Sequence, residues 1–471
     1  MQSSPQLEAA INIIRVLRSA GHDAYLAGGC VRDLLLGREP KDYDVATSAT
    51  PDVVLPMFPR TYAVGAHFGV VLVASTSETN SSSAAQQPSA PPQVVTEVAT
   101  FRNDGVYSDG RHPDEVRYTQ TAAEDVQRRD FTINGLLLDP THLVDVSPDQ
   151  LATAVRAGVL DYVGGLDDLD ARVIRAIGRP EVRFEEDQLR LLRAVRFAAR
   201  FGFDIEPKTL AAIRKLAARI HAVSRERIRE ELTKMLTEGR ARCAFELLDQ
   251  TDLLVQVLPE ISRMKGVQQP PQFHPEGDVW IHTLMLLEQL EPDSPLTLAW
   301  GALLHDVGKP PTYREAPDRI RFDGHVEVGV AIAADICRRF RFSNDENRQI
   351  LALVDNHMRF ADAPRMKAST LKRFFRLGNF PEHLDLHRMD CMAAHRNLDI
   401  YNFVRERYES LPEQEVRPAP LLTGRELIAA GYQPGPAFKH MLQAVEDAQL
   451  EGAITTADQA ISLVREKFGP A

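Results

Sequence analysis

The stretch LAGGCVRDLLLGREPKDYDVAT, residues 26–47, decides how the first part of the chain is read. An apolar run ends in Gly28-Gly29 and a helical pattern begins near Val31, so a strand passes into a helix across two glycines. Glycines let the backbone approach a phosphate closely, and a helix N-terminus with Arg32 adds positive potential for a triphosphate. A few residues on, Asp42 and Asp44 stand two apart in a β-rich run and therefore project from one face. Two unscreened carboxylates side by side repel each other. Cations relieve this, and Mg2+ favours one or two carboxylates plus substrate phosphates. Glu97, in TEVATF, adds a third acidic group from another strand, the kind of cluster that two-metal phosphoryl transfer needs. Alone, a Gly-Gly turn serves any strand-to-helix junction and a DxD pair is an ordinary exposed edge. The three together point to nucleotide chemistry.

Outward from that stretch, residues 22–140 mix short β-rich runs with Gly/Asp turns, after an amphipathic N-terminal helix bearing Ile11, Ile13, Ile14 and Leu17. Residues 75–93, STSETNSSSAAQQPSAPPQ, are too poor in apolar residues to fold, which predicts an extended hairpin loop between two strands. From about residue 146 strand signals nearly vanish and helical periodicity dominates, with Pro/Gly-bearing boundaries at 259–278 and 412–424. The expected fold class is α+β. A small mixed-sheet head over 1–145 precedes a helical neck over 146–260, a third, helical domain over 261–410 and a C-terminal helical segment over 411–471.

Composition narrows the classes. The 471 residues are 44% hydrophobic and 26% charged, with no apolar run near the ~20 residues a membrane helix needs. The N-terminus lacks a signal peptide's apolar core. Cys30, Cys243, Cys337 and Cys391 lie far apart without a CxxC pair, which argues against a disulfide framework or a thiolate zinc site and fits a reducing, cytoplasmic setting. The net charge of −11 is the wrong sign for a general nucleic-acid coat, so a polyanion needs a local basic patch. Residues 171–245 supply one, with 18 Lys+Arg against 10 Asp+Glu.

GGCVRD (28–33), DYD (42–44), EVATFR (97–102) and RRDFTIN (128–134), in this order and spacing, resemble the class II CCA-adding enzyme and bacterial poly(A) polymerase family of nucleotidyltransferases. The resemblance covers roughly residues 20–260. It implies that Asp42 and Asp44 bind two Mg2+ ions with Glu97 assisting. It also implies that Gly28, Gly29, Arg32, Arg128, Arg129, Asp130 and Asn134 hold the nucleotide's phosphates and sugar. DYVGGLDDL (161–169) resembles the family's flexible joint between head and neck. In FEEDQLRLLRAVRFAARFGF (184–203), one predicted helix, Asp187 and Arg190 are three apart and share a side. A carboxylate and a guanidinium together offer the acceptors and donors of a base edge, and in the resembled family this element selects C or A without a template. Arg193 reaches the triphosphate or base, while Glu226 and Arg227 of SRERIREELTKML (224–236) are supporting residues. The polar loop 101–118 is full length, as in CCA-adding or A-adding members, with His112 where many members carry a second Arg. VGAHFGVVLV (64–73) looks more like the tRNA enzymes than the poly(A) polymerases.

Downstream, HPEGDVWIHTLML, LLHDVGK, GHVEVG, DNHMRF and HRMDCMAAH set out His282, His305-Asp306, His325, His357 and Asp390. Imidazoles and carboxylates on helices are a divalent-metal ligand set, and an adjacent His-Asp lets one helix serve a metal pair. The order resembles the HD phosphohydrolase superfamily, with Lys309 placed to assist a phosphate. Expected substrates are 2′,3′-cyclic phosphates or phosphate monoesters, with an unidentified divalent metal. The alternative is a domain that keeps its ligands but serves only as a tRNA-binding body. The expectation for the whole is a cytoplasmic enzyme, unattached to membrane, that adds CCA to tRNA from CTP and ATP. A-only addition and polyadenylation remain open within that class. From other classes, a metal-dependent phosphohydrolase with a decayed head and a non-catalytic RNA-binding protein are disfavoured by the complete carboxylate set.

Overall fold

The computed structural model describes residues 4–63, 69–76, 93–104, 116–143, 150–272, 274–275, 277–317 and 319–470. Most of the low-complexity stretch, His112 and the polar loop around it, and the first half of VGAHFGVVLV lie outside the described residues. The chain forms two compact units. Unit 1 comprises Met1–Glu231 and Glu246–Val257, and unit 2 comprises Leu232–Phe245 and Leu258–Ala471.

Unit 1 is built on strands β1 (Ala24–Ala27), β2 (Val45–Thr47), β3 (Thr61–Tyr62), β4 (Val70–Thr76) and β5 (Gln93–Thr100), then β6 (Arg102–Asp104) and β7 (Val116–Tyr118), then β8 (Leu136–Leu138) and β9 (Val159–Asp161). Seven of them make one sheet in the order β3-β4-β5-β2-β1-β8-β9, while β6 and β7 pair separately. β2 and β5 run parallel, with Val45 opposite Val98 and Ala46 opposite Ala99, and the other pairs of the sheet are antiparallel. Strand alternation sorts the side chains. Leu26, Val45, Val71, Val98, Leu136 and Leu138 face one core with Ile13, Ile14 and Leu17 of the Pro5–Ser19 helix. Ala27, Ala46 and Leu137 face a second core with Phe101 and Val126. Ser4 caps the first helix by accepting from Leu7 N at 3.2 Å.

Three expectations change here. The sheet runs on to β9, well past residue 145, because the short Val-Leu-Asp run pairs with β8. DYVGGLDDL carries the end of β9 through a tight turn into the Gly165–Ala171 helix. Asp161 accepts from the backbone N–H groups of Val163, Gly165 and Leu166 at 2.9–3.0 Å, and a Cβ on Gly165 would stand 2.3 Å from the Thr132 carbonyl oxygen. The helix read over 184–203 is two, Pro180–Glu186 and Leu189–Phe201. Asp187 is extended and accepts from Leu189 N at 3.0 Å, opening the second helix as a cap does.

Unit 2 is helical. Val279–Glu288, Leu296–Leu304, His325–Arg339, Asn344–Asn356 and Phe380–Ala393 surround the downstream motifs, and Trp300 is fully buried among them. A separate core, with Leu427, Met441, Val445 and Val464, organises the C-terminal helices. Among the described residues no helix is long and apolar enough to cross a membrane. The fold class is α+β: a mixed-sheet head followed by helical domains.

Candidate active sites

In unit 1 the DYD run leads into β2. Tyr43 is 5% exposed and packs in the first core, so alternation turns Asp42 and Asp44 to the opposite face. One step back along the parallel β2–β5 register sets Asp44 beside Glu97. Burial, then the Glu97 charge, push the Asp44 carboxyl up to about 6, and burial raises Glu97 as well, opposed by Arg102. This crowding of negative charge fits residues that hold a cation.

Gly28 has φ +73 and its N–H donates to the Leu136 carbonyl oxygen at 3.0 Å. A Cβ there would meet Arg129 Nη1 at 2.8 Å, so glycine answers both the left-handed backbone and the close approach. Gly29 starts the helix that carries Arg32. Arg129 is braced by Asp125 Oδ2 at 3.1 Å, and Arg128 by Asp125 Oδ1 at 2.7 Å. A chain of charge-assisted bonds follows. Arg193 Nη2 lies 2.7 Å from Asp130 Oδ2, Asn134 Nδ2 donates to Asp130 Oδ1 at 3.0 Å, and Arg32 Nη1 donates to Asn134 Oδ1 at 2.5 Å. Burial pushes the Asp130 carboxyl up, but Arg193, Asn134 and Arg190 together outweigh it and hold the group at about 2.

The structure thus brings Asp130, Asn134, Arg193 and Arg32 together and sets Arg129 against Gly28. It corrects the reading of Arg32 as a phosphate hook. Arg32 is 4% exposed, ion-paired to Asp33 at 2.8 Å and stacked 4.6 Å from the Phe201 ring centroid. Its guanidinium is a strut under Asn134. Asp187 and Arg190 do not pair with each other through their side chains. Asp187 Oδ2 accepts from Arg227 at 2.9 Å, while Arg190 reaches Glu186 at 2.7 Å and the Arg128 carbonyl oxygen at 3.0 Å. Asp125, buried to 1%, escaped the sequence reading, although its i,i+3 and i,i+4 spacing to Arg128 and Arg129 was available.

Unit 2 gathers all six downstream residues into two groups, His282, His305 and Asp390, and Asp306, His325 and His357. His282 Nε2 stands 3.1 Å from Asp390 Oδ1. Asp306 lies between the groups, Oδ2 3.1 Å from His305 Nε2 and Oδ1 3.9 and 3.8 Å from His325 and His357 Nε2. Three of the rings are set by one local device. Nδ1 of His305, His325 and His357 sits 2.9, 3.0 and 2.7 Å from the carbonyl oxygen three residues earlier. An Nδ1–H donating there leaves the Nε2 lone pair facing inward, and among the described residues Nε2 of His325 and of His357 has no hydrogen-bond partner. Burial pushes His357 down to about 4 and lowers His325, against the opposing Asp306 charge. Burial would raise Asp306, but His305 and Lys309 hold it well below the carboxylate range. Neutral imidazoles with inward lone pairs around a shared carboxylate fit divalent metal ions. Lys309 Nζ is ion-paired with Asp306 Oδ2 at 2.7 Å and donates to Gln269 Oε1 at 2.6 Å. Gly308 is required by packing, since a Cβ would stand 2.0 Å from the His325 carbonyl oxygen.

Three family descriptions match the chain: the Poly A polymerase head domain over residues 24–175, the probable RNA and SrmB-binding site of polymerase A over 202–265, and the HD domain over 278–394. The CCA-adding enzyme of Bacillus subtilis is 36% identical over 297 residues, 62% of this chain and 67% of the relative. The chain belongs to the CCA-adding enzyme family. The CCA-adding enzyme of Lactobacillus gasseri is 29% identical over 467 residues, 96% of each chain. Among solved structures, the Bacillus stearothermophilus CCA-adding enzyme in complex with CTP matches with a TM-score of 0.69 at 26% identity, covering 98% of both chains. The Thermotoga maritima CCA-adding enzyme complexed with tRNA shares the fold, with a TM-score of 0.55 at 17% identity over 98% and 96% of the two chains. The head and HD families are metal-dependent, and the chain carries residue groups suited to metal in its HD domain.

Proposed function

We propose that this CCA-adding enzyme family member completes the 3′ ends of tRNA with C, C and A, taking CTP and ATP as substrates and no template, in the cytoplasm. The reading rests above all on Asp44 and Glu97, set side by side by the parallel β2–β5 pair in a fold that matches the CTP-bound relative along its whole length. In the reaction the RNA 3′ oxygen attacks the α-phosphorus of the nucleotide. The new P–O bond forms as the bond to the β-phosphate oxygen breaks, pyrophosphate leaves, and the hydroxyl proton is lost to solvent. Mg2+ at Asp42 and Asp44, assisted by Glu97, would lower the pKa of that hydroxyl and offset the charge on the triphosphate.

The remaining residues bind and orient. Gly28 and Gly29 let the backbone approach the phosphates, and Arg129, braced by Asp125, donates hydrogen bonds to the phosphate oxygens. Asp130 and Asn134, locked by Arg193 and Arg32, present acceptor and donor to the ribose hydroxyls. Asp187 and Arg190 select the base edge by exchanging their present partners, Arg227 and Glu186, for C or A. The division into a head, a neck, an HD domain and a C-terminal segment at residues 145, 260 and 410 belongs to this proposal, with the head's sheet carried on through β9. Labelled CTP and ATP, supplied with Mg2+ to tRNA transcripts ending before CCA, after C and after CC, test it. Extension of all three that stops at CCA is expected. Addition of A to the CC-ended RNA alone, or long A tails, would replace it with A-adding or poly(A) activity.

A second activity is favoured by the inward Nε2 atoms of the HD cluster. His282, His305, Asp306, His325, His357 and Asp390 would hold one or two divalent ions that activate water against a phosphate ester, and Lys309 braces Asp306. Hydrolysis of phosphate monoesters or 2′,3′-cyclic phosphates with Mg2+, Mn2+, Co2+ or Ni2+ is expected. No turnover with any of them would reduce the domain to an RNA-binding body.

A further inference from the structure

Glu186 closes the Pro180–Glu186 helix, directly before the break at Asp187. Its Oε2 atom is shared by two guanidiniums. Arg183 Nη1 donates to it at 2.8 Å and Arg190 Nη1 at 2.7 Å. The spacing makes the sharing possible, since Arg183 stands three residues before Glu186 and Arg190 four after it. The three side chains are between 11% and 24% exposed, so water is a poor substitute for a lost partner. Both arginines are also tied to the RRD run. Arg190 Nη2 donates to the Arg128 carbonyl oxygen at 3.0 Å, while Arg183 Nε donates at 3.3 Å to the carbonyl oxygen of Ile177, whose N–H donates to the Asp130 carbonyl oxygen at 3.1 Å. Arg190 Nη1 donates besides to the Arg183 carbonyl oxygen at 3.0 Å. To reach a base, Arg190 gives up Glu186. A largely buried carboxylate stripped of its cation is costly, and nucleotide binding would have to supply that free energy. Arg183 removes most of the cost, because it holds the same oxygen before and after the exchange.

We propose that Arg183 is a positioning residue for base selection, keeping Glu186 paired while Arg190 turns to the base edge. Without the Arg183 guanidinium, Arg190 is the remaining cation on that oxygen among the described residues, and every incoming C or A has to pull it away. The inference rests on the reading of Arg190 as a base selector and deepens it by naming what sets Arg190 free. It carries a signature that a brace of the helix break would lack. Cytosine and adenine present a ring-nitrogen acceptor to the N–H groups of Arg190, where uracil and guanine present an N–H of their own. Nucleotides that gain nothing from Arg190 lose nothing when it is held back.

The test uses the full chain with Mg2+, offering CTP or UTP to tRNA transcripts ending before CCA and ATP or GTP to transcripts ending after CC. Arg183→Ala is expected to raise KM for CTP and for ATP about tenfold, about 1.4 kcal/mol, with kcat within about twofold, and to leave the slow incorporation of UTP and GTP unchanged. Arg183→Gln, longer but equally neutral, should behave in the same way. Arg183→Lys, which keeps a cation beside Glu186, should recover most of the loss. Arg183→Ala combined with Glu186→Gln should recover it too, because a neutral amide holds Arg190 less tightly than a carboxylate. An unchanged KM for CTP in both neutral variants, a rise shared equally by all four nucleotides, or a double variant no better than Arg183→Ala overturns the role. Arg190→Ala is measured beside them. If it keeps the full preference for CTP over UTP, the base-selecting reading fails and the role of Arg183 with it. If it erases that preference while the neutral Arg183 variants bind CTP normally, the inference alone fails.

Discussion

Asp44 carries opposing demands. Its carboxyl is pushed up to about 6 by burial and by Glu97, so near neutral pH the ionised group burdens the metal-free fold while it serves the cation. Asp44→Asn should therefore raise the melting temperature of metal-free protein, by the equivalent of about 1–3 kcal/mol, while abolishing CTP incorporation. A lower melting temperature would contradict the crowding. Asp130 shows the reverse case. A folded-state value of about 2 against an ordinary 3.8 means that its stabilisation is complete above the ordinary value and is lost as pH falls through the folded one. Roughly 2 kcal/mol should disappear between about pH 4 and pH 2. Asp130→Asn should lack that segment of the acid-unfolding curve and be less stable at pH 7. The carboxylates were legible in the sequence because alternation along a strand is local, and Tyr43 between them packs inward. Arg32 was misread because the Phe197 and Phe201 rings that cover it come from a helix far along the chain.

At the level of elements, sequence periodicity located the helices and missed how they join. The run 184–203 has unbroken helical character, yet Asp187 divides it by leaving the helical conformation, accepting from Leu189 N and pairing with Arg227 from the Arg225–Thr237 helix. That partner comes from the supporting motif, so the break is a long-range contact that no window of local sequence contains. β9 was missed for a related reason. Three residues give almost no periodicity, and pairing with β8 makes them a strand. In the HD domain the turn HDVGK depends on Gly308, whose φ of −83 any residue could adopt. Contact with the backbone at His325 and Gly329 excludes a side chain there. Gly308→Ala should push the His325–Arg339 helix away from Asp306, destabilise unit 2 by roughly 2–3 kcal/mol, and sharply reduce the Mn2+ bound at equilibrium. Unchanged metal uptake would mean that this packing does not set His325.

At the scale of the whole molecule, the two sets of ligands belong to different units. His305→Ala with Asp306→Ala should remove phosphoester hydrolysis and leave CTP incorporation within about twofold, since sites without shared residues or partners add independently. A joint loss would show that the units are coupled. The motifs announced both chemistries because each rests on residue types at fixed spacing. The interleaving of the units was invisible, since it depends on which helices pack together.

That interleaving has a temporal side. Unit 1 takes its last piece, Glu246–Val257, from beyond Leu232–Phe245, which belongs to unit 2. Leu254 and Val257 of that piece are at most 1% exposed. A ribosome delivering the chain from its N-terminus must therefore release Leu232–Phe245, the end of the Arg225–Thr237 helix and the start of the Ala241–Gln250 helix, before the first unit can close. Unit 1's order of birth is not its order of completion, and a nascent chain halted at residue 231 would display an unfinished apolar surface to the cell's chaperones.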